Sequence, residues 1–146
     1  MFRAVFTSLA LCLLTVAPAL AEEVIGEIKL ARGEASIERG GETLSAATGM
    51  QIEKLDILRT GSDGALGLVF TDTSRVSLGP DSEMKVETYV FRGQGAEGNT
   101  FDSRLTKGSL AAASGLIGKT PNAMRVLMPT TILGVRGTEF AVQVEE

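Results

Sequence analysis

From residue 24 onward the chain is written in short apolar–polar runs closed by Gly, Asp or Ser. That is the pattern of β-strands joined by tight turns. Residues 24–30 and 35–39 are the first two expected strands, parted by Arg32-Gly33. Arg39-Gly40-Gly41-Glu42 reads as a hairpin tip, because two glycines admit the positive φ a tight turn needs. A strand over 56–60 ends at Gly61-Ser62-Asp63-Gly64, a turn signal. Residues 65–71 are apolar on both faces and suit a strand covered on both sides. Strands over 74–78 and 84–91 follow, joined by Gly79-Pro80-Asp81-Ser82, with Met84, Val86 and Val90 expected on one face. Residues 100–110, 122–128 and 138–144 complete the set. In the last of these Phe140, Val142 and Val144 alternate inward against Glu139, Gln143 and Glu145. Residues 110–118 are ambiguous: Ala111-Ala112-Ala113 favours helix, but close glycines and strand neighbours tip the reading to strand. No linker or low-complexity tract divides these runs. The expectation is an all-β, antiparallel β-sandwich or jelly-roll-like single domain.

The first residues do not belong to that pattern. Arg3 is followed by an apolar stretch over 4–17, then Pro18 and the small residues of Ala19-Leu20-Ala21. This is the layout of a secretory signal peptide, and the stretch is shorter than the roughly 20 residues of a spanning helix. Cleavage after Ala21 is expected, with residues 22–146 as the mature domain and no stable membrane insertion. Cys12 follows Leu11, where a lipoprotein signal wants a small residue, so it reads as part of the apolar stretch. It is the only Cys in the chain, so the mature domain must hold together without a disulfide.

Composition narrows the chemistry. The net charge of −4 becomes one unit more negative with the loss of Arg3, and no basic run exists. Nucleic acid and anionic lipid are poor partners for such a surface. With no His, and no Cys after cleavage, Ser–His, Cys–His and common zinc chemistry are excluded. Carboxylate pairs could support glycoside hydrolysis, but the acidic residues fall singly on turns and strand exteriors. The domain is expected not to be an enzyme and to need no cofactor or metal. Asp63 and Asp72 sit in turns outside any calcium-loop spacing. The Gly93-x-Gly95-x-x-Gly98 letters lack the strand–helix context of a dinucleotide loop and read as a strand connection.

Two segments are more specific. Residues 56–82 run strand, Thr60-Gly61-x-Asp63-Gly64, apolar strand, Asp72-Thr73-Ser74, strand, Leu78-Gly79-Pro80-x-Ser82. Residues 129–140 carry Gly134-Val135-Arg136-Gly137-Thr138-x-Phe140. Together they resemble the FecR domain, with two departures: Leu55 and Thr73 stand where the family pattern carries Gly. Because Thr disfavours positive φ, a different turn type is expected at Thr73.

The resemblance implies a periplasmic or otherwise extracytoplasmic module. Many relatives are membrane-spanning sigma-factor regulators with a cytoplasmic anti-sigma segment and this domain outside. This sequence shows no such segment and no retained spanning helix, so only the interaction-module role carries over. The expected function is a non-catalytic binding or sensory-partner domain for a protein, peptide or cell-wall component of the envelope. The alternative is a structural envelope protein acting by self-association.

Arg136 is the sharpest residue-level expectation. Counting back from Phe140 at period two places it and Thr138 inward. A buried Arg needs a carboxylate, and Asp56 and Asp72 are the candidate partners. Alternatively Arg136, between Gly134 and Gly137, grips an anionic ligand.

Overall fold

The computed structural model describes residues 23–137 and 139–145. The signal-peptide reading, residues 1–21, and Thr138 lie outside them. Twelve strands form one continuous sheet that curls over a single core: β1 (Val24–Arg32), β2 (Ala35–Arg39), β3 (Glu42–Ser45), β4 (Gln51–Glu53), β5 (Ile57–Thr60), β6 (Ala65–Phe70), β7 (Arg75–Leu78), β8 (Glu83–Val90), β9 (Thr100–Ala113), β10 (Met124–Leu127), β11 (Ile132–Val135) and β12 (Glu139–Val144). The protein is an all-β single domain.

The long strand β9 organises the curl. Its first part pairs with β8 and β10, and its last part pairs with β7 and β12. Between them sits Gly108 at φ 83°. A Cβ there would stand 2.4 Å from Ser82 Cα, so the chain can turn this corner only with glycine. Beyond the corner one half of the sheet runs β4-β1-β6-β7-β9-β12, and the other runs β3-β2-β5-β8-β9-β10-β11. The halves face each other: Phe70 of β6 packs against Phe101 of β9 with ring centroids 4.5 Å apart. Ile28, Leu66, Leu68 and Val76 from one half meet Ile37, Leu58, Met84 and Leu105 from the other in the core.

Most runs become the expected strands, and the differences have local causes. The β2–β3 hairpin turns on Gly40 and Gly41, both at positive φ. Residues 110–113 are strand because β9 is paired there on both edges; a 3-10 turn over Ile117–Lys119 follows. The expectation of an antiparallel sheet holds at every ladder but one: β10 runs parallel to β9. The 114–123 crossover permits this. On β6 only Leu66, Leu68 and Phe70 are buried; Ala65, Gly67 and Val69 are half-covered, so the strand is not enclosed on both faces. In β8 a bulge between Val86 and Thr88 shifts the register. It turns Tyr89, not Val90, into the core, as an inserted residue reverses strand parity.

The two departures from glycine also behave unexpectedly. Thr73 has φ 71° and Leu55 φ 69°. Thr73 therefore keeps the turn that glycine would make: its N–H donates to Phe70 O at 2.9 Å, and Phe70 N–H to Ser74 O at 2.9 Å. The hydrogen bonds around Asp72 hold this β-branched residue in a conformation it intrinsically disfavours.

Candidate functional site

The residues of the first motif are consumed by the fold. Asp56 is fully buried and held by a two-pronged Arg39 pair, Nε–Oδ1 at 2.8 Å and Nη2–Oδ2 at 2.6 Å. Glu53 N–H donates to Oδ2 at 2.9 Å. Arg39 also meets Glu53 at 3.2 Å and donates to Gln51 O at 3.0 Å. The pair joins β2 to the β4–β5 turn and gives the buried Asp56 charge the partner it needs, while Arg39 itself stays part-exposed. Thr60 Oγ1 donates to Gly79 O at 2.6 Å and accepts from Ser82 N–H at 2.9 Å. Ser82 Oγ in turn accepts from Ser109 N–H at 2.9 Å. Asp63 Oδ1 accepts from Glu34 N–H at 3.0 Å.

Asp72 is the deepest of these groups. Its carboxylate is fully buried and accepts from Tyr89 OH at 2.9 Å, Ser74 Oγ at 2.6 Å, Ser74 N–H at 3.2 Å and Ile117 N–H at 3.1 Å. Its backbone N–H donates to Tyr89 Oη at 2.9 Å, and its carbonyl accepts from Leu116 N–H at 2.8 Å. The network ties the β6–β7 turn to the crossover that leads into β10. Burial, with the neighbouring Asp72 charge adding to it and the hydrogen bond to the Thr71 hydroxyl partly offsetting it, raises the Tyr89 pKa well above its ordinary value. A carboxylate bonded in this way is a fastener and has no face for a substrate. Among the described residues no buried side-chain nitrogen or oxygen lacks a partner.

The inward reading of Arg136 is therefore corrected. Asp56 takes Arg39 as its partner and Asp72 takes hydroxyls and amides, while Arg136 is exposed. The period-two count fails because β11 stops at Val135 and Gly137, at φ 55°, turns the chain before β12 begins. Gly137 N–H is anchored to Gly118 O at 2.7 Å. Gly134 is exposed on β11, with Ile132 on the same strand 60% exposed. Asp56 and Asp72 are thus internal, and Arg136, Gly134 and Gly137 share one surface.

That surface lies where both halves of the sheet end, with β11 the outermost strand of one and β12 of the other. A cleft of about 450 Å³ opens between the β10–β11 turn and the end of β12. Thr106, Lys107, Met128, Pro129, Gln143 and Val144 are among its walls. The outward face of the half that runs β2-β5-β8-β9-β10 is charged and internally matched up to the strand beside β11: Arg59 bridges Glu38 and Glu83, Arg104 meets Glu87, and Arg125, opposite Gly134, grips Asp102. Sequence reasoning missed Arg39 and Tyr89, since neither lies in a motif. The missed β11 left its exposed edge unseen. The signal for β11 was Thr131-Ile132-Leu133, β-branched and apolar residues just after Pro129.

Among the described residues no helix is long and apolar enough to cross a membrane. Comparison with curated proteins finds no match, and comparison with solved structures finds none either. The family model described as FecR protein matches residues 56–146. That span contains the internally bonded first motif, the exposed Gly134, Arg136 and Gly137 of the second motif and the corner strand between them, and the chain belongs to the FecR protein family.

Proposed function

We propose that this protein is a non-catalytic sensory or regulatory interaction module, exported across the inner membrane, whose recognition surface is the flank carrying residues 129–137. Its partner is a protein, peptide or cell-wall component of the envelope. One observation carries the reading. Asp56, Thr60, Asp63, Asp72, Ser74 and Ser82 of the first motif are spent on internal bonds, whereas the second motif displays Arg136, Gly134 and Ile132 to solvent. Arginine is among the side chains that most often dominate a recognition surface. Membership of a regulatory family supports the same reading.

A photo-reactive residue in place of Ile132 tests it in cells expressing the full chain. The expected result is a discrete cross-linked partner, whose yield falls several-fold when Arg136→Ala is added. A reporter at Leu44, on the opposite hairpin, should give none. Equal cross-linking from both positions would overturn the reading. Cross-linking only to a second copy would favour the structural, self-associating alternative.

A further inference from the structure

The two halves of the sheet end out of step on the recognition flank. β12 and β10 each lie directly beside β9, and β11 lies one strand further out. Among the described residues no strand lies outside β12 to stand opposite β11. Met128, Leu133, Phe140, Val142 and Val144 pack against the core there, yet each stays only half-buried. The strand ladder on this side of β9 is also interrupted, running to Arg104 with β10 and resuming at Gly108 with β12.

The edge of β12 lacks three of the devices that blunt an edge strand. Its six residues keep an unbroken register with β9, and it carries no Pro, no Lys and no bulge. Its inward side chains are Phe140, Val142 and Val144. On the other side stand Glu139, Ala141 and Gln143, with Glu145 next, all exposed.

We propose that β12 receives an extended segment of a partner polypeptide as an added strand, and that this segment alternates apolar with basic side chains. This rests on the recognition flank argued above and specifies its occupant. The backbone of the added strand completes the ladder. Its inward apolar residues cover Leu133, Phe140, Val142 and Val144. Its outward Lys or Arg residues lie beside Glu139 and Glu145, where opposite charges across strands are favourable. A second copy is a worse fit. Twofold antiparallel pairing centred on Val142 sets Glu139 against Glu145 of the other copy, twice, and like charges in that position repel.

The probe is a nine-residue peptide alternating valine and lysine, titrated against the mature domain by fluorescence anisotropy, with amide exchange read by NMR. The expected result is saturable binding that slows exchange in β12. A peptide of the same composition with its valines grouped, and one alternating valine and glutamate, should bind at least about tenfold more weakly, the scale of a few cross-strand charge and packing pairs. Glu139→Lys with Glu145→Lys should reverse the preference between the lysine and glutamate peptides. Should that pair disturb folding, Glu145→Lys alone, beyond the end of β12, reads the same effect at smaller size. Equal binding of the grouped peptide, protection away from β12, or unchanged preference in the charge variants would overturn the proposal. So would a dimer seen by sedimentation that protects β12 without peptide. If the peptide fails while Ile132 still cross-links a partner, strand addition falls and the recognition surface stands; if both fail, both fall.

Discussion

Tyr89 is the only tyrosine in the chain, and there is no tryptophan, so one chromophore reports on the Asp72 network. Tyr89→Phe keeps the ring against Phe70 and Phe101, at 5.6 and 5.1 Å between centroids, and removes only the hydroxyl. Asp72 Oδ1 loses a donor and the buried Asp72 N–H loses its acceptor. A stranded buried amide costs about 1–3 kcal/mol, and a hydrogen bond to a charged group contributes about 1.5–3 kcal/mol. The two losses share one site and do not simply add, so the expected destabilisation is about 2–4 kcal/mol. For a domain of this size that lowers Tm by roughly 10 °C.

The same hydroxyl sets an alkaline dependence. The unfolded chain gives up its tyrosine proton near pH 10, while the folded protein, with Tyr89 raised, keeps it. Above about pH 10 the unfolded state therefore binds fewer protons, and stability falls as pH rises; below it the contribution is fully present. Absorbance at 295 nm should stay flat in the folded protein past pH 10 and rise only with unfolding. Tyr89→Phe should lose this part of the alkaline slope in urea unfolding curves. A folded-state transition with its midpoint near 10, or a Tyr89→Phe stability within about 0.5 kcal/mol of wild type, would refute the network.

Thr73→Gly should stabilise the protein: relief of a left-handed β-branched residue gives about 1–2 kcal/mol, against about 0.5–1 kcal/mol of glycine chain entropy. Leu55→Gly should act in the same direction, and a rise in Tm of a few degrees for either variant checks the argument. Arg39→Ala strands the fully buried Asp56 and should cost about 2–4 kcal/mol, reduced from the buried-pair range because Arg39 is part-exposed. Arg39→Lys should recover only part of that in urea unfolding, since an ammonium cannot reproduce the fork.

The strand runs and the hairpin at Gly40-Gly41 were legible because each depends on residues adjacent in sequence. Phe140, Val142 and Val144 kept their alternation for the same reason. What could not be read locally depends on geometry that breaks the count. The bulge after Val86 carried Tyr89 into the core, and the turn at Gly137 carried Arg136 out of it. The sequence marks Asp56 and Asp72 as candidate partners for an inward Arg136, and instead they take Arg39, the Tyr89 hydroxyl and the Ile117 amide. Those partners come from β2, β8 and the crossover, 17 to 45 residues away, where no spacing rule reaches. Thr73 shows the converse limit: its intrinsic preference argued for another turn, and the tertiary hydrogen bonds around Asp72 overrode it.

The central claim is that the first motif holds the fold while the arginine of the second faces outward for recognition. Thermal unfolding of Arg136→Ala tests it most directly. An exposed side chain of this kind contributes within about 0.5 kcal/mol, so the expected Tm lies within a degree or two of wild type. A fall of about 10 °C, the size expected for stranding a buried partner charge, would place Arg136 inside the fold and contradict the account.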